Sequence, residues 1–121
     1  MATGLVIHTD GTYELKEFKQ YTDFNDVLGG YLEGIKMYSL GTNKQSGFAY
    51  INEEGKLLGL KPNRDGTLIA WLSHAIHDSD VIAGNLIIMG AGDGEGNDTD
   101  VEQIWVDLVQ HFCHKREDTN V

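Results

Sequence analysis

The sequence predicts an α+β fold: a single small domain in which two or three helices pack on one face of a mainly antiparallel, hairpin-built sheet. The chain has 121 residues, of which 40% are hydrophobic, as expected for one globular domain. Short alternating segments separated by turn residues predict the hairpins, and apolar residues at helical spacing in the last quarter predict a long amphipathic C-terminal helix. We expect the domain to span residues 1–116 and a short polar tail to occupy residues 117–121.

Two β-hairpins are predicted from turn residues that lie between alternating segments. The first joins residues 4–7 to residues 12–18 through an Asp-Gly turn, which is a strong hairpin signal. The second joins residues 48–52 to residues 56–60 through a Glu-Glu-Gly turn. Further strands are expected at residues 31–38 and, as a central strand in the most apolar stretch, at residues 81–89.

The first two predicted helices have recognisable end signals. A short helix begins at Thr22 or Asp23, either of which can cap it, and ends at Gly29, because glycine adopts a positive φ at low cost. A second helix is expected over residues 67–76. Its apolar residues lie three and four positions apart and predict a buried face made of Leu68, Trp71, Leu72, Ala75 and Ile76.

The C-terminal helix has the clearest periodicity in the chain. Thr99 and Glu102 form a predicted capping box, in which each side chain satisfies a free backbone N–H group. Apolar residues then recur at helical spacing on one face, namely Val101, Ile104, Trp105, Leu108, Val109 and Phe112. His111 and His114 are expected in the last turn, where a protonated histidine favours the helix dipole.

The acidic balance of the chain restricts its partners. Nine basic against 19 acidic side chains give a net charge of −10, which disfavours nucleic acid and anionic membranes, since both need clustered Lys and Arg. Residues 91–121 alone carry eight acids and two bases. The predicted acidic patch consists of Asp93, Glu95, Asp98, Asp100 and Glu102. Such a patch attracts a protein with a basic surface, or it is a solvated face that keeps the chain soluble.

Four residues are weak candidates for a metal site. His74 and His77 lie three positions apart, so a helix would present both imidazoles on one face. Asp78 and Asp80 follow them and would complete the site. No His-Glu-x-x-His pattern accompanies them, and the sequence has no catalytic set or cofactor motif. We therefore expect no metal and no cofactor, and a metal-dependent hydrolase is the last of the functional alternatives.

A cluster of polar side chains indicates a small-ligand site. Asn52 and Lys56 would face each other across the second hairpin, and Pro62 would fix the chain before Asn63 and Arg64. With two tyrosines beside them, the complete candidate site comprises Tyr31, Tyr50, Asn52, Lys56, Asn63 and Arg64. Arginine supplies a planar fork and asparagine both donors and acceptors, which suits a small anionic, nucleotide-like ligand. The alternative is structural: Asn63 caps the following helix, and Arg64 pairs with an acidic neighbour at the surface.

Three segments carry a resemblance to a known family: residues 29–33, 52–64 and 80–90, in that order. The middle segment, from Asn-Glu-Glu-Gly-Lys to Pro-Asn-Arg, is the most specific. The chain resembles the domain-of-unknown-function family 3846, found in phages, plasmids and other bacterial mobile elements, over residues 4–112. It departs from the family pattern after Arg64. The resemblance implies an accessory protein, encoded by a phage or mobile element and acting in the host cytoplasm, and it implies no particular activity.

The sequence therefore favours a protein that acts by binding rather than by catalysis, as an acidic inhibitor or modulator of a host protein with a basic surface. Binding or sequestering a small anionic ligand is the alternative. The single cysteine cannot form an internal disulfide, which is typical of a cytoplasmic protein. A homodimer that pairs edge to edge is also expected, because a domain this small leaves sheet edges open.

Overall fold

The computed structural model describes residues 1–116, which form one α+β domain with six strands and three helices. In chain order the elements are β1 Ala2–Ile7, β2 Thr12–Phe18, α1 Tyr21–Leu28, β3 Leu32–Tyr38, β4 Gln45–Asn52, α2 Arg64–Leu72, β5 Leu86–Met89, α3 Gln103–Val109 and β6 His114–Lys115. None of these helices is both long and apolar enough to cross a membrane. The predicted tail, residues 117–121, lies outside the described residues.

The sheet is mixed, with strand order β3-β4-β5-β1-β2-β6. All neighbouring strands are antiparallel except β2 and β6, which run parallel. The first predicted hairpin is confirmed, since β1 pairs with β2 and places Leu5 opposite Leu15. The predicted central strand is confirmed as β5, all of whose residues are buried. It is shorter than predicted, because Gly84 turns the chain with a φ of 93° just before it begins.

Helices cover both faces of the sheet, and the prediction that they share one face was wrong. Side chains alternate between the two faces along each strand. On one face α2 and α3 pack over a core that includes Ile7 and Ile88. On the other face α1 packs over Val6 and Ile87. The central strands are apolar on both faces, so each face needs a covering layer.

The second predicted hairpin was wrong. β4 pairs with β3 on one side and with β5 on the other, so β4 has no free edge for a strand at residues 56–60. Those residues continue a series of turns in which the N–H of Leu58 donates to the carbonyl of Glu54 at 2.9 Å. Asn52 and Lys56 therefore do not face each other across a β-ladder.

α1 begins before the residues predicted to cap it, and Gln20 takes the N-cap position in place of Thr22 or Asp23. The Asp23 carboxylate lies in the first turn and accepts the N–H groups of Lys19 at 2.7 Å and Gln20 at 3.1 Å. These bonds, the one from Lys19 first, lower the pKa of Asp23. The predicted end is confirmed, since Gly29 has a φ of 78°.

α2 begins and ends earlier than predicted. Asn63 caps the helix by accepting the N–H of Gly66 at 2.8 Å, so α2 starts at Arg64. It ends at Leu72, and His74 follows with a positive φ of 56°, which is incompatible with continued helix. The predicted buried face was also wrong within the helix, because the residues that α2 buries are Gly66, Thr67, Ile69 and Ala70. Of the predicted face, Ala75 packs against the core, but it lies beyond the end of α2.

The predicted long C-terminal helix was wrong, because α3 spans only Gln103–Val109. Thr99 does not cap it; the Thr99 hydroxyl accepts the N–H of Gly92 at 3.1 Å and closes the preceding loop instead. Glu102 occupies the N-cap position without a side-chain capping bond.

The chain beyond α3 turns and forms β6, where His114 pairs with Thr12 of β2, so His114 does not lie in a helix. The predicted apolar face is only partly buried. Trp105 is 1% exposed, whereas Ile104 is 53% exposed and the unpredicted Val106 is buried.

Candidate functional site

Four aromatic side chains form a row on the face of the sheet that α1 covers. Phe18 stacks on Phe24 with ring centroids 4.6 Å apart, and Phe24 meets Tyr50 edge-on at 5.1 Å. The ring of Phe48 follows, 5.3 Å from Tyr50. We term Phe18, Phe24, Tyr50 and Phe48 the aromatic row. Phe18 and Phe24 are buried, whereas Tyr50 and Phe48 are partly exposed, so the row passes from the core to the surface.

The segment between β5 and α3, residues 90–102, lies beside this row and is termed the acidic loop. The hydroxyl of Tyr50 donates to the carboxylate of Asp98 at 2.8 Å, which attaches the loop to β4. The N–H of Thr3 donates to the carboxylate of Asp100 at 2.8 Å, which attaches it to β1. The loop is therefore fixed to two strands of the sheet.

The structure brings the five residues of the predicted acidic patch together on this loop, and all five are exposed: Asp93, Glu95, Asp98, Asp100 and Glu102. Asp93 organises the tip of the loop. Its carboxylate accepts the side-chain amide of Asn97 at 2.8 Å and the N–H of Glu95 at 2.8 Å. The bond from Asn97 is the main cause that lowers the pKa of Asp93, so this carboxylate stays ionised in mildly acidic solution.

Burial and the contact with Asp98 both keep the Tyr50 phenol protonated. Burial raises the pKa of Tyr50, and the neighbouring Asp98 carboxylate raises it further. Both causes act against the phenolate, since burial disfavours any charge and Asp98 repels a negative one. The Tyr50 hydroxyl therefore remains a donor throughout the neutral range.

A groove of about 400 Å³ lies between the aromatic row and the acidic loop. Phe24 and Tyr50 line it together with residues 96–98, which include the Asp98 carboxylate, and residues 19–21, which include the ammonium group of Lys19. A second hollow of about 310 Å³ shares Tyr50 and residues 96–98 with this groove and is also lined by Phe48. Aromatic faces attract cations, and carboxylates form charge-assisted hydrogen bonds with Lys and Arg. Asp98 and the partly exposed ring of Tyr50 therefore give this groove two groups that attract a basic side chain.

One family model matches nearly the whole chain. The family described as "Domain of unknown function (DUF3846)" matches residues 1–113. The chain belongs to the DUF3846 family. This result confirms the family resemblance that the sequence carries. Comparison with curated proteins and with solved structures finds no match.

Two of the six predicted ligand residues of this DUF3846 protein are buried structural side chains. Asn63 is 1% exposed, and its amide donates to the carbonyls of Ile7 at 2.9 Å and Gly84 at 3.0 Å. Asn52 is 4% exposed, and its amide donates to the carbonyl of Leu28 at 3.1 Å. These bonds use the donors that a ligand would need, and for Asn63 they support the structural alternative.

The other four predicted ligand residues lie in different places in the DUF3846 domain. Tyr31 is 70% exposed, and Tyr50 belongs to the aromatic row. Lys56 forms an ion pair with Asp80, and Arg64 is exposed at the start of α2. Tyr50 lines the groove and Lys56 lines a different cavity, so the six residues do not surround one volume.

The cavity beside Lys56 has a volume of about 390 Å³ and combines part of the predicted ligand site with part of the predicted metal site. Its apolar lining includes Ile35, Ile51 and Ile82, and its charged lining consists of Glu33, Glu53, Lys56, His77 and Asp80. The bond from Lys56 is the main cause that lowers the pKa of Asp80. Three carboxylates against one paired lysine disfavour a phosphate or another anion.

The four metal candidates, His74, His77, Asp78 and Asp80, do not converge in the DUF3846 domain. Nδ1 of His77 accepts the N–H of Ser79 at 3.1 Å and lies 3.1 Å from Asp78 Oδ1. His74 lines a separate hollow beside residues 41–43. Within the part of the chain that the structure describes, no group of three or more His, Cys, Asp or Glu side chains is arranged to hold a metal ion.

Sequence reasoning missed the aromatic row. Its rings come from β2 and α1, which are consecutive, and from β4, which is distant in sequence and joins them only when the sheet assembles. One local signal was present, because Phe48 and Tyr50 lie two positions apart and a strand places such residues on one face. Nothing in the sequence indicated that Phe18 and Phe24 would continue that row.

Proposed function

We propose that this DUF3846 protein acts by binding, not by catalysis, and that it holds a basic segment of a partner protein between the aromatic row and the acidic loop. The observation that carries this proposal is the bond from the Tyr50 hydroxyl to Asp98. That bond places the exposed carboxylate of Asp98 directly beside the partly exposed ring of Tyr50. A segment that carries arginine or lysine gains ion pairs from the carboxylates and cation–π contacts from the rings.

The charge of the chain supports a protein partner of basic character. A net charge of −10 increases the rate of encounter with a basic surface and repels nucleic acid and anionic membranes. On the family resemblance, the chain is an accessory protein of a phage or mobile element. Its partner is then a host protein in the cytoplasm, and occupying a basic surface of that protein inhibits or modulates it.

Binding of a basic peptide tests this proposal directly. The probe is a fluorescent peptide of alternating arginine and leucine, and the comparison probe alternates glutamate and leucine. We expect the fluorescence anisotropy of the basic peptide to rise with protein concentration. Added salt should weaken the binding, because exposed charges are screened.

Two double variants separate the groove from the overall charge. Glu95→Gln/Asp98→Asn removes two charges from the acidic loop, whereas Asp78→Asn/Asp107→Asn removes two exposed charges elsewhere. We expect the loop variant to bind the basic peptide at least tenfold more weakly and the control variant to bind nearly as the wild type does. Equal affinities of the two variants, or binding of the glutamate peptide, would refute the proposal.

A further inference from the structure

The cavity of about 390 Å³ beside Lys56 has an apolar surface that the fold leaves open. Ile35 of β3 and Ile51 of β4 pack against the edge of the core and are only partly buried. α2 supplies none of the residues that line the cavity. Two further aliphatic side chains, from the segment that follows α2, complete what we term the apolar floor: Ile35, Ile51, Ala75 and Ile82. The floor is available to the apolar part of a ligand.

Two exposed carboxylates lie beside the apolar floor. Glu33 lies opposite Ile51 in the ladder between β3 and β4. The N–H of Glu53 donates to the carbonyl of Tyr31 at 2.8 Å and continues this ladder beyond the end of β4. Both glutamates line the cavity. Diagonal neighbours on one face of an antiparallel pair lie about 7–8 Å apart, so Glu33 and Glu53 can both contact one cationic group that lies between them.

The charges that line the cavity determine the sign of the ligand. Within the part of the chain that the structure describes, the ion pairs include neither Glu33 nor Glu53. Lys56 supplies the ammonium group of the lining, and it is paired with Asp80. Three carboxylates and one ammonium group give the lining a net charge of −2 with His77 neutral. The cavity therefore attracts a cation.

The two walls of the cavity are attached to each other. One wall is the turn that follows β4, and the other is the segment of residues 75–83. Lys56 of the turn pairs with Asp80 of the segment. Gly55 packs closely against the same segment, since a Cβ at this position would lie 2.5 Å from the carbonyl oxygen of Ala83. The cavity is therefore preformed, which lowers the cost of ordering it around a ligand.

We propose that this cavity binds a small amphipathic cation, such as a primary amine with a compact apolar body. The ammonium group lies between Glu33 and Glu53, where charge-assisted hydrogen bonds hold it. The apolar body lies on the apolar floor and removes partly exposed aliphatic side chains from water. A volume of about 390 Å³ is within the range of about 300–1,000 Å³ that small-ligand sites occupy.

This cavity is separate from the groove beside the aromatic row. The apolar floor belongs to the face of the sheet that α2 and α3 cover, whereas the groove lies on the face that α1 covers. The two have no lining residue in common. The proposal therefore does not depend on the function proposed for the groove. It also reverses the charge of the ligand that the sequence predicted for Asn52 and Lys56.

Methyl NMR spectroscopy of the full chain, labelled at isoleucine, tests this proposal with cyclohexylmethylamine as the probe. We expect the amine to shift the methyl resonances of Ile35, Ile51 and Ile82 saturably, with a dissociation constant in the millimolar range. Ile104, which lies on α3 and is 53% exposed, should not respond. Cyclohexylmethanol and cyclohexanecarboxylate have a similar shape without the positive charge and should bind about tenfold more weakly or not at all. Methylamine lacks the apolar body and should leave the resonances unchanged.

Two double variants separate the two glutamates from the overall charge. Glu33→Gln/Glu53→Gln should bind the amine about tenfold more weakly than the wild type, because it removes both carboxylates beside the apolar floor. Asp26→Asn/Asp107→Asn removes two exposed charges that do not line the cavity and should bind the amine as the wild type does. Equal affinities of the two variants, or of the amine and the alcohol, would overturn the proposal. So would isoleucine methyl resonances that the amine does not shift in the wild type.

Discussion

The side-chain amide of Asn63 donates to the carbonyl of Ile7 at 2.9 Å and joins the start of α2 to the end of β1, 56 positions away in sequence. The same amide donates to Gly84, and the side-chain oxygen accepts the N–H of Gly66. One buried side chain therefore holds together the start of α2, the end of β1 and the residues that precede β5. This geometry makes Asn63 a structural residue, in agreement with the helix-capping alternative that the sequence offered beside a ligand-binding role.

Replacing Asn63 should destabilise the fold. Asn63→Ala removes the helix cap and leaves two buried carbonyls with fewer donors, and we expect a loss of about 2–4 kcal/mol in the free energy of unfolding. Asn63→Asp keeps the acceptor for Gly66 but loses both donors, so it should be destabilised as well. Urea denaturation followed by circular dichroism measures both changes.

The neighbouring Arg64→Ala is the control for that measurement. Arg64 is exposed, and we expect a change within about 0.5 kcal/mol. If Asn63→Ala unfolded at the same urea concentration as Arg64→Ala, the hydrogen bonds of Asn63 would contribute nothing to stability.

The parts of the fold that depend on local sequence were predictable. The Asp-Gly turn produced the first hairpin, and Gly29 ended α1 at a φ of 78°. The second hairpin failed because its pairing depends on a distant strand: β5 occupies the side of β4 that residues 56–60 would have needed. A turn signal identifies where a chain reverses, but it does not identify which strand lies alongside afterwards.

The predictions for the second and third helices were wrong for a related reason. Thr99 has the residue type and spacing of a cap, but its hydroxyl accepts the N–H of Gly92 and closes the acidic loop. In α2 the polar Thr67 is turned inward, where its hydroxyl accepts the N–H of Ile82 at 2.9 Å. Leu68, Trp71 and Leu72, which were predicted to be buried, are partly exposed instead. Periodicity locates an apolar face, and tertiary hydrogen bonds decide whether that face is buried.

For the candidate site, the sequence predicted the acidic patch but not the aromatic row that lies beside it. The acidic residues of the segment 90–102 can be read directly from the sequence, and the structure places them on one exposed loop. The aromatic row requires the sheet order, which brings β2 and β4 to the same helix. The residues of the predicted ligand site lie apart, because the second hairpin, which would have brought Asn52 and Lys56 together, does not form.

Tyr50→Phe should reduce stability at neutral pH and change its dependence on alkali. We expect a loss of about 1 kcal/mol for one partly exposed hydrogen bond to a carboxylate. The pKa of Tyr50 is raised above its ordinary 10.0, so the folded state holds the phenol proton more tightly than the unfolded state. This contribution is fully present below about pH 10 and is lost as the pH rises beyond it.

Urea denaturation of the wild type and Tyr50→Phe at about pH 9 and about pH 11 measures this effect. The difference in unfolding free energy between the two proteins should shrink at the higher pH. Tyr31→Phe is the control, because Tyr31 is 70% exposed, and it should match the wild type at both values. A difference that stayed constant with pH would contradict the role of the Tyr50 proton.

Asp10 should stabilise the protein at neutral pH and lose that effect in acid. The hydroxyl of Thr12 donates to its carboxylate at 2.5 Å, and Arg116 donates to it at 2.9 Å. The bond from Thr12 is the main cause that lowers the pKa of Asp10 from 3.8 to about 2. A lowered pKa gives stability that is present above about pH 4 and is lost as the pH falls through about 2.

Asp10→Asn therefore should unfold more easily than the wild type at about pH 5, and the difference should shrink as the pH falls towards about 2. We expect a difference of about 1 kcal/mol or less at the higher pH, since solvent screens this exposed site. Glu95→Gln, an exposed acid on the acidic loop, should show no such convergence. An Asp10→Asn protein as stable as the wild type at about pH 5 would show that these bonds do not contribute.

Cys113 should react slowly with alkylating reagents while the protein is folded. Its side chain lies in the core beneath α3 and is 7% exposed. Burial, which is the larger cause, and the nearby Asp65 together raise the pKa of the thiol from 9.0 to about 12. At pH 8 the thiolate fraction should fall about 1,000-fold, and iodoacetamide labelling, followed by mass spectrometry, should slow at least as much relative to protein in urea.

Asp65→Asn distinguishes the two causes of the raised pKa of Cys113. Burial is the larger cause, so removing the Asp65 charge should increase the labelling rate only severalfold and leave it far below the rate in urea. A folded Asp65→Asn protein labelled as fast as unfolded protein would show that Asp65, and not burial, protects the thiol. Fast labelling of the folded wild type would show that the segment joining α3 to β6 opens readily and exposes Cys113 to solvent.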